Sequence, residues 1–90
     1  MNIRRVGIYN HRMKNLKARK QTGLWLKSKR EDAGLSQAQL AMMIGRSKSF
    51  VGRYEGGGRV EIGQFVKIAH VLKANPHELI QTLYLGDRRN

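Results

Sequence analysis

Between residues 35 and 55 the chain reads LSQAQLAMMIGRSKSFVGRYE, and its apolar positions fall into two short helical stretches joined by a tight turn. Leu40, Ala41 and Ile44 recur at helical spacing behind Ser36, a good N-cap. Gly45 ends that helix, over 36–44, where a residue tolerant of positive φ is wanted, and Ser47 caps the next, over 47–55. In the second stretch Ser47, Phe50, Val51 and Tyr54 share one face, and Lys48, Ser49, Gly52 and Arg53 share the other. An apolar face therefore grips the first helix while small and cationic groups point outward.

The flanking sequence predicts three more helices. One covers 22–33, with Thr22 as its cap, Leu26, Arg30 and Ala33 along one side, and Gly34 at its end. Trp25, on the same helix, reads as a packing residue rather than a platform for stacked bases. A second covers 62–73 and is apolar on nearly every turn, as a central core helix would be. The last opens on Asn75 as cap, Pro76 at the first position and Glu78 completing an Asn-x-x-Glu box. Its stripe of Leu79, Ile80, Leu83 and Tyr84 is wider than a short terminal helix needs. Residues 86–90 read as a frayed tail.

Residues 1–20 keep no apolar period for long and hold seven Arg or Lys with no acid. They read as a mostly flexible basic arm, with room for a helical turn or two near Arg12 to Lys20, ahead of a domain at 21–85. Such an arm either follows phosphates or a minor groove, as Arg4, Arg5, Arg12 and Lys14 would allow, or is a solubilising tail or a segment packed on the domain.

Ninety residues at 40% hydrophobic content make one small domain with one modest core. Without cysteine there is no disulfide framework and no thiolate metal site, which suits a reducing cytoplasm. No apolar run approaches the ~20 residues of a membrane span. The formal charge of +12 calls for a polyanionic partner, nucleic acid or an anionic membrane, and does not by itself choose between them.

The outward face of the 47–55 helix does choose. A short exposed helix with that face fits the major groove of duplex DNA, where Lys48 and Arg53 can donate to guanine and Ser49 is permissive. Gln37 lies in the first turn of the preceding helix, where a side-chain amide and free N–H groups can hold a phosphate. Arg46, Ser47 and Arg59 are further backbone contacts. The run GGGR, 56–59, is not a phosphate loop, because it lacks the GxxxxGK[ST] spacing and follows no strand. His11, His70 and His77 have no metal-ligand spacing, and the six acids are scattered singly, so neither an enzyme nor a cofactor or metal site is expected.

The segment resembles the helix-turn-helix of the lambda-repressor-like (Cro, or xenobiotic-response-element) family. Ala41, Gly45, Val51 and Tyr54 stand at that pattern's spacing, and the likeness extends from Gly23 and Arg30 to Phe65, Ile68, Ala69, Leu72 and Leu79, about two thirds of the chain. Arg46 departs from it, standing where an apolar residue is usual, and the glycine-rich run is about one residue short. The resemblance implies a compact all-α fold of five helices. It also implies an ion pair between Arg30 and Glu55, a buttressing role for Gln37, and pairing of two copies through Leu79, Ile80, Leu83 and Tyr84. The expected function is sequence-specific binding of double-stranded DNA, as a small homodimeric repressor occupying a promoter in the cytoplasm of a prokaryote, or of phage or plasmid origin. Two readings compete with it: a DNA-binding antitoxin or modulator that acts through a protein partner such as a toxin, and a non-specific nucleic-acid or membrane binder that uses charge alone.

Overall fold

The structure, a computed structural model, describes the backbone of residues 3–89 and the side chains of 16–85. The described residues form helices only: α1 (Ile3–Asp32), α2 (Gln37–Ile44), α3 (Lys48–Glu55), α4 (Ile62–Val71) and α5 (Pro76–Arg89).

α1 begins well ahead of the expected start. Thr22 is not its cap; the hydroxyl sits mid-helix and donates to the Ala18 carbonyl at 2.7 Å. Between residues 3 and 22 there is no proline and one glycine, Gly7, and most of the rest are serviceable helix formers. Apolar periodicity marks burial on one face, so it is silent about a stretch of helix that has no core to face. The segment read as an arm is thus helix continuous with the domain, while the side chains of Arg4, Arg5, Arg12 and Lys14 lie outside those described. α5 likewise runs through the tail read as frayed, to Arg89.

Four helices end in one motif. An N–H two or three residues beyond the helix reaches back to a carbonyl five residues earlier: Leu35 to Arg30 (3.1 Å), Arg46 to Ala41 (2.9 Å), Gly58 to Arg53 (2.8 Å) and Ala74 to Ala69 (2.9 Å). The residue before each donor has positive φ, at Gly34 (73°), Gly45 (70°), Gly57 (105°) and Lys73 (54°). Three glycines and one lysine therefore set the four corners.

The N-termini are fixed by side chains. Ser36 Oγ accepts from Gln39 N–H at 3.0 Å, and Gln39 Oε1 accepts from Ser36 N–H at 2.8 Å, a reciprocal capping box. Ser47 Oγ accepts from Phe50 N–H at 3.1 Å, and Asn75 Oδ1 from His77 N–H at 3.0 Å. Glu78 does not close the expected box at Asn75. Its carboxylate turns to Lys29 of α1, 2.8 Å away, because a charged donor outcompetes a backbone amide. The hydrogen bond to Lys29 holds the Glu78 carboxyl below its ordinary pKa and the Lys29 ammonium above its own.

The core gathers Leu26, Leu40, Ile44, Val51, Tyr54 and Ile68, each at most 1% exposed, from α1 to α4. Trp25 packs against its edge beside Phe65, ring centroids 6.2 Å apart. α4 is not the fully buried helix its composition suggested. It buries Ile68 and Ala69, with Leu72 just beyond, and leaves Ile62 and Val66 in solvent at 77% and 55% exposure. A chain this small lacks a second layer to cover its outer face. Of the α5 stripe, Leu79 is 4% exposed and packs into the chain's own core, so the contact expected of it with a second copy falls mainly to Ile80, Leu83 and Tyr84.

Tyr54 is the largest fully buried side chain, and its hydroxyl has no hydrogen-bond partner among the described residues. Burial, with Glu55 beside it, pushes its pKa up to about 12. Tyr54→Phe removes a buried donor that has no partner, so unfolding in urea should show the variant unchanged or up to about 1 kcal/mol more stable. A loss above that size would reveal a partner for the hydroxyl.

Candidate nucleic-acid interface

α2 and α3 form a rigid corner. Gly45 turns the chain, Arg46 N–H closes α2, and Ser47 immediately caps α3. Val51, Tyr54 and Glu55 then face inward and are buried, and Phe50 packs on the core edge. Lys48, Ser49 and Arg53 are left exposed on the opposite side of α3. Arg46 and Arg59, at either end of α3, are exposed as well. Among the described residues none of these four cations is paired with a carboxylate.

The acid that α3 does carry is neutralised from behind. Arg30 Nε donates to Glu55 Oε2 at 2.7 Å and Arg30 Nη2 to Glu55 Oε1 at 3.1 Å, both side chains buried. The Arg30 Nη1 donates to the Leu35 carbonyl at 2.7 Å, so the guanidinium also pins the α1–α2 link. These hydrogen bonds to Glu55 hold the Arg30 pKa above its ordinary value against the opposing effect of burial. A third donor joins them: Gln37 Nε2 reaches Glu55 Oε1 at 3.0 Å. Gln37 therefore ties the first turn of α2 to the last turn of α3, and its amide lies across Gly52, where an added Cβ would stand 3.7 Å from Oε1. Gly52 does not face open solvent alone; a side chain there would be in ordinary contact with that amide.

Gly23 sets how closely α1 approaches. A Cβ built there would fall 2.3 Å from the Tyr54 carbonyl oxygen and 2.8 Å from that of Glu55. The end of α3 rests on the bare backbone of α1, about two turns from Arg30. The glycine run after α3 is packed rather than loose: an added carbon at Gly58 would meet the Arg53 carbonyl at 2.8 Å, and one at Gly57 would meet Lys20 Cγ at 3.1 Å.

Two expected contacts have other partners as well. Ser47 Oγ caps α3 and lies 3.1 Å from Ser49 Oγ, so the two hydroxyls hold each other at the head of the helix. The Arg46 guanidinium lies over the Phe50 ring, 4.1 Å from its centroid. That stack explains how an arginine occupies a position usually apolar: its flat face covers the ring while its edge remains free to donate. Neither the Gln37–Glu55 bond nor this stack is legible from spacing, because each joins side chains through the tertiary fold.

A family profile described as a helix-turn-helix domain matches residues 21–83. The chain belongs to the helix-turn-helix domain family. That family binds DNA, and the matched span holds the whole of α2 to α4, the last part of α1 from residue 21, and α5 as far as residue 83. No curated protein and no solved structure matches the chain significantly. Among the described residues no three potential ligands cluster around a metal position, and no helix is long and apolar enough to cross a membrane.

Proposed function

We propose that this helix-turn-helix protein is a sequence-specific transcriptional regulator that reads duplex DNA through Lys48, Ser49 and Arg53. The observation that carries the reading is the face of α3: exposed, cationic, free of paired acids, and held at both ends by Ser47 and by the Arg30–Glu55–Gln37 cluster. A preorganised helix presented this way enters a major groove without first losing ion pairs of its own. Arg46, Ser47 and Arg59 take phosphates around it, with Gln37 at the first turn of α2, and Arg4, Arg5, Arg12 and Lys14 extend the track along the backbone. Ile80 and Tyr84, exposed on α5, and half-buried Leu83 form the surface through which two copies pair on an inverted repeat, with half-sites about 34 Å apart. Repression by promoter occupancy in a prokaryotic cytoplasm is the simplest action of such a dimer. The same exposed apolar side chains would serve a toxin-like protein partner, and copurification of a stoichiometric partner would favour that role.

Lys48→Ala and Arg53→Ala should each weaken binding to the cognate site by about 1–3 kcal/mol and binding to random duplex by much less. Titration of both DNAs at one salt concentration checks this. Equal losses on the two DNAs would assign both residues to phosphates instead of bases.

A further inference from the structure

A groove of about 330 Å³ opens between α1, the stretch after α3, α4 and α5, with neither Lys48 nor Ser49 in its lining. Its walls come from three places. α1 gives Ala18 and Thr22, the stretch after α3 gives Val60, and α4 and α5 give Phe65, Leu79 and Leu83. Two arginines, Arg19 and Arg59, also line it, and among the described residues no carboxylate does. The Arg19 Nε is shielded from solvent and has no hydrogen-bond partner among the described residues. A shielded cationic donor without an acceptor is costly, and the cost is recovered by whatever anion reaches it.

From this arrangement we propose that the groove binds a small apolar carboxylate, its hydrocarbon against Phe65, Leu79 and Leu83 and its carboxylate on Arg19 and Arg59. The volume falls in the range of small-molecule sites, and an apolar lining with few convergent polar groups is their usual chemistry. Charge complementarity decides the occupant. Ile80 and Leu83, which also line the groove, belong to the dimer surface proposed above. A second copy, however, would seat against the two arginines a surface from a protein of 18 basic and six acidic residues. The one described acid of α5, Glu78, is already taken by Lys29, so pairing alone leaves the arginines without an anion. An anionic amphiphile meets both halves of the groove. Arg59 is also one of the phosphate contacts proposed above, so an occupied groove withdraws a DNA contact. That consequence rests on the DNA-binding reading; occupancy itself does not.

The test is a two-dimensional amide NMR titration of the full chain, without DNA, with decanoate and with decan-1-ol, both below the concentrations at which they self-associate. Decanoate is expected to shift the amides of Thr22, Val60, Leu79 and Leu83, and decanol to bind at least roughly tenfold more weakly. Arg19→Ala and Arg59→Ala should each weaken decanoate by a similar factor and leave decanol unchanged. Equal binding of acid and alcohol would overturn the carboxylate assignment. Shifts confined to other surfaces, or none at these four amides, would overturn the site, whether the chain sediments as a monomer or a dimer. A further titration with bound DNA present separates the readings: loss of DNA binding in the Lys48 variant is independent of whether decanoate occupies the groove.

Discussion

Glu55→Ala is expected to destabilise the domain by about 3–5 kcal/mol, the cost of leaving a buried guanidinium without its counter-ion. Both oxygens of Glu55 are in use, taking two hydrogen bonds from Arg30 and one from Gln37. Removing the carboxylate strands Arg30, whose side chain is 9% exposed and whose third nitrogen is held by the Leu35 carbonyl. A small domain has only about 5–15 kcal/mol to lose, so equilibrium unfolding in urea should find this variant marginal at room temperature. The apolar pair Arg30→Met with Glu55→Leu should recover much of the loss, because a well-packed hydrophobic pair of similar volume often matches a buried ion pair. A loss below about 1 kcal/mol for Glu55→Ala would place the pair in the class of surface salt bridges.

The second large effect is at Gly23. Gly23→Ala places a carbon 2.3 Å from the Tyr54 carbonyl oxygen, and the colliding atom is backbone that cannot turn aside. α1 must then lift from the end of α3, which strains the Arg30–Glu55 geometry at the same time. Overpacking of this kind typically costs up to about 3 kcal/mol, against a gain of about 1 kcal/mol that alanine brings to a helix interior. A fall in Tm of more than roughly 10 °C is expected in a thermal scan. Gly63→Ala is the control, since a carbon added there meets nothing within 4 Å and the helix should be unchanged or slightly stabilised. Equal effects at the two glycines would mean that helix propensity, and not the contact with α3, decides the outcome.

How much of this the sequence discloses depends on how local each signal is. Ser36, Gly45, Ser47 and Asn75 announce α2, α3 and the start of α5 because caps and left-handed residues act within a few positions of themselves. The Ser36–Gln39 box was equally local, and the S-x-x-Q spacing could have disclosed it. The start of α1 carried no such mark, as its first turns neither bury an apolar stripe nor begin on a readable cap. In α4, Ile62 and Val66 look like core residues until the fold shows that no layer covers them. Local signals also mislead when tertiary charge intervenes: Glu78 sits at the right place to close a box with Asn75, and Lys29 from another helix takes it instead.

For the candidate site the division is similar. The outward face of α3 follows from counting along a helix, so Lys48, Ser49 and Arg53 are legible as a group. What holds that face in place is not. Gln37 and Glu55 are 18 residues apart, and only the packing of α2 on α3 brings the amide to the carboxylate. The partner of Glu55 on α1, Arg30, was suggested by family resemblance and not by spacing. The groove beside α5 depends on three separate stretches of chain, and Arg19 lay in a segment read as an arm.

The most direct test of DNA reading by α3 is selection of random duplex DNA by the purified protein at ~150 mM salt, followed by sequencing, because charge alone is already partly screened there. Enrichment of a defined sequence that is lost with Lys48→Ala or Arg53→Ala is the predicted result, and an inverted repeat with half-sites one turn apart would add the dimer. Retention of DNA with no sequence enriched would contradict base reading by α3 and leave the +12 charge as the whole of the interaction.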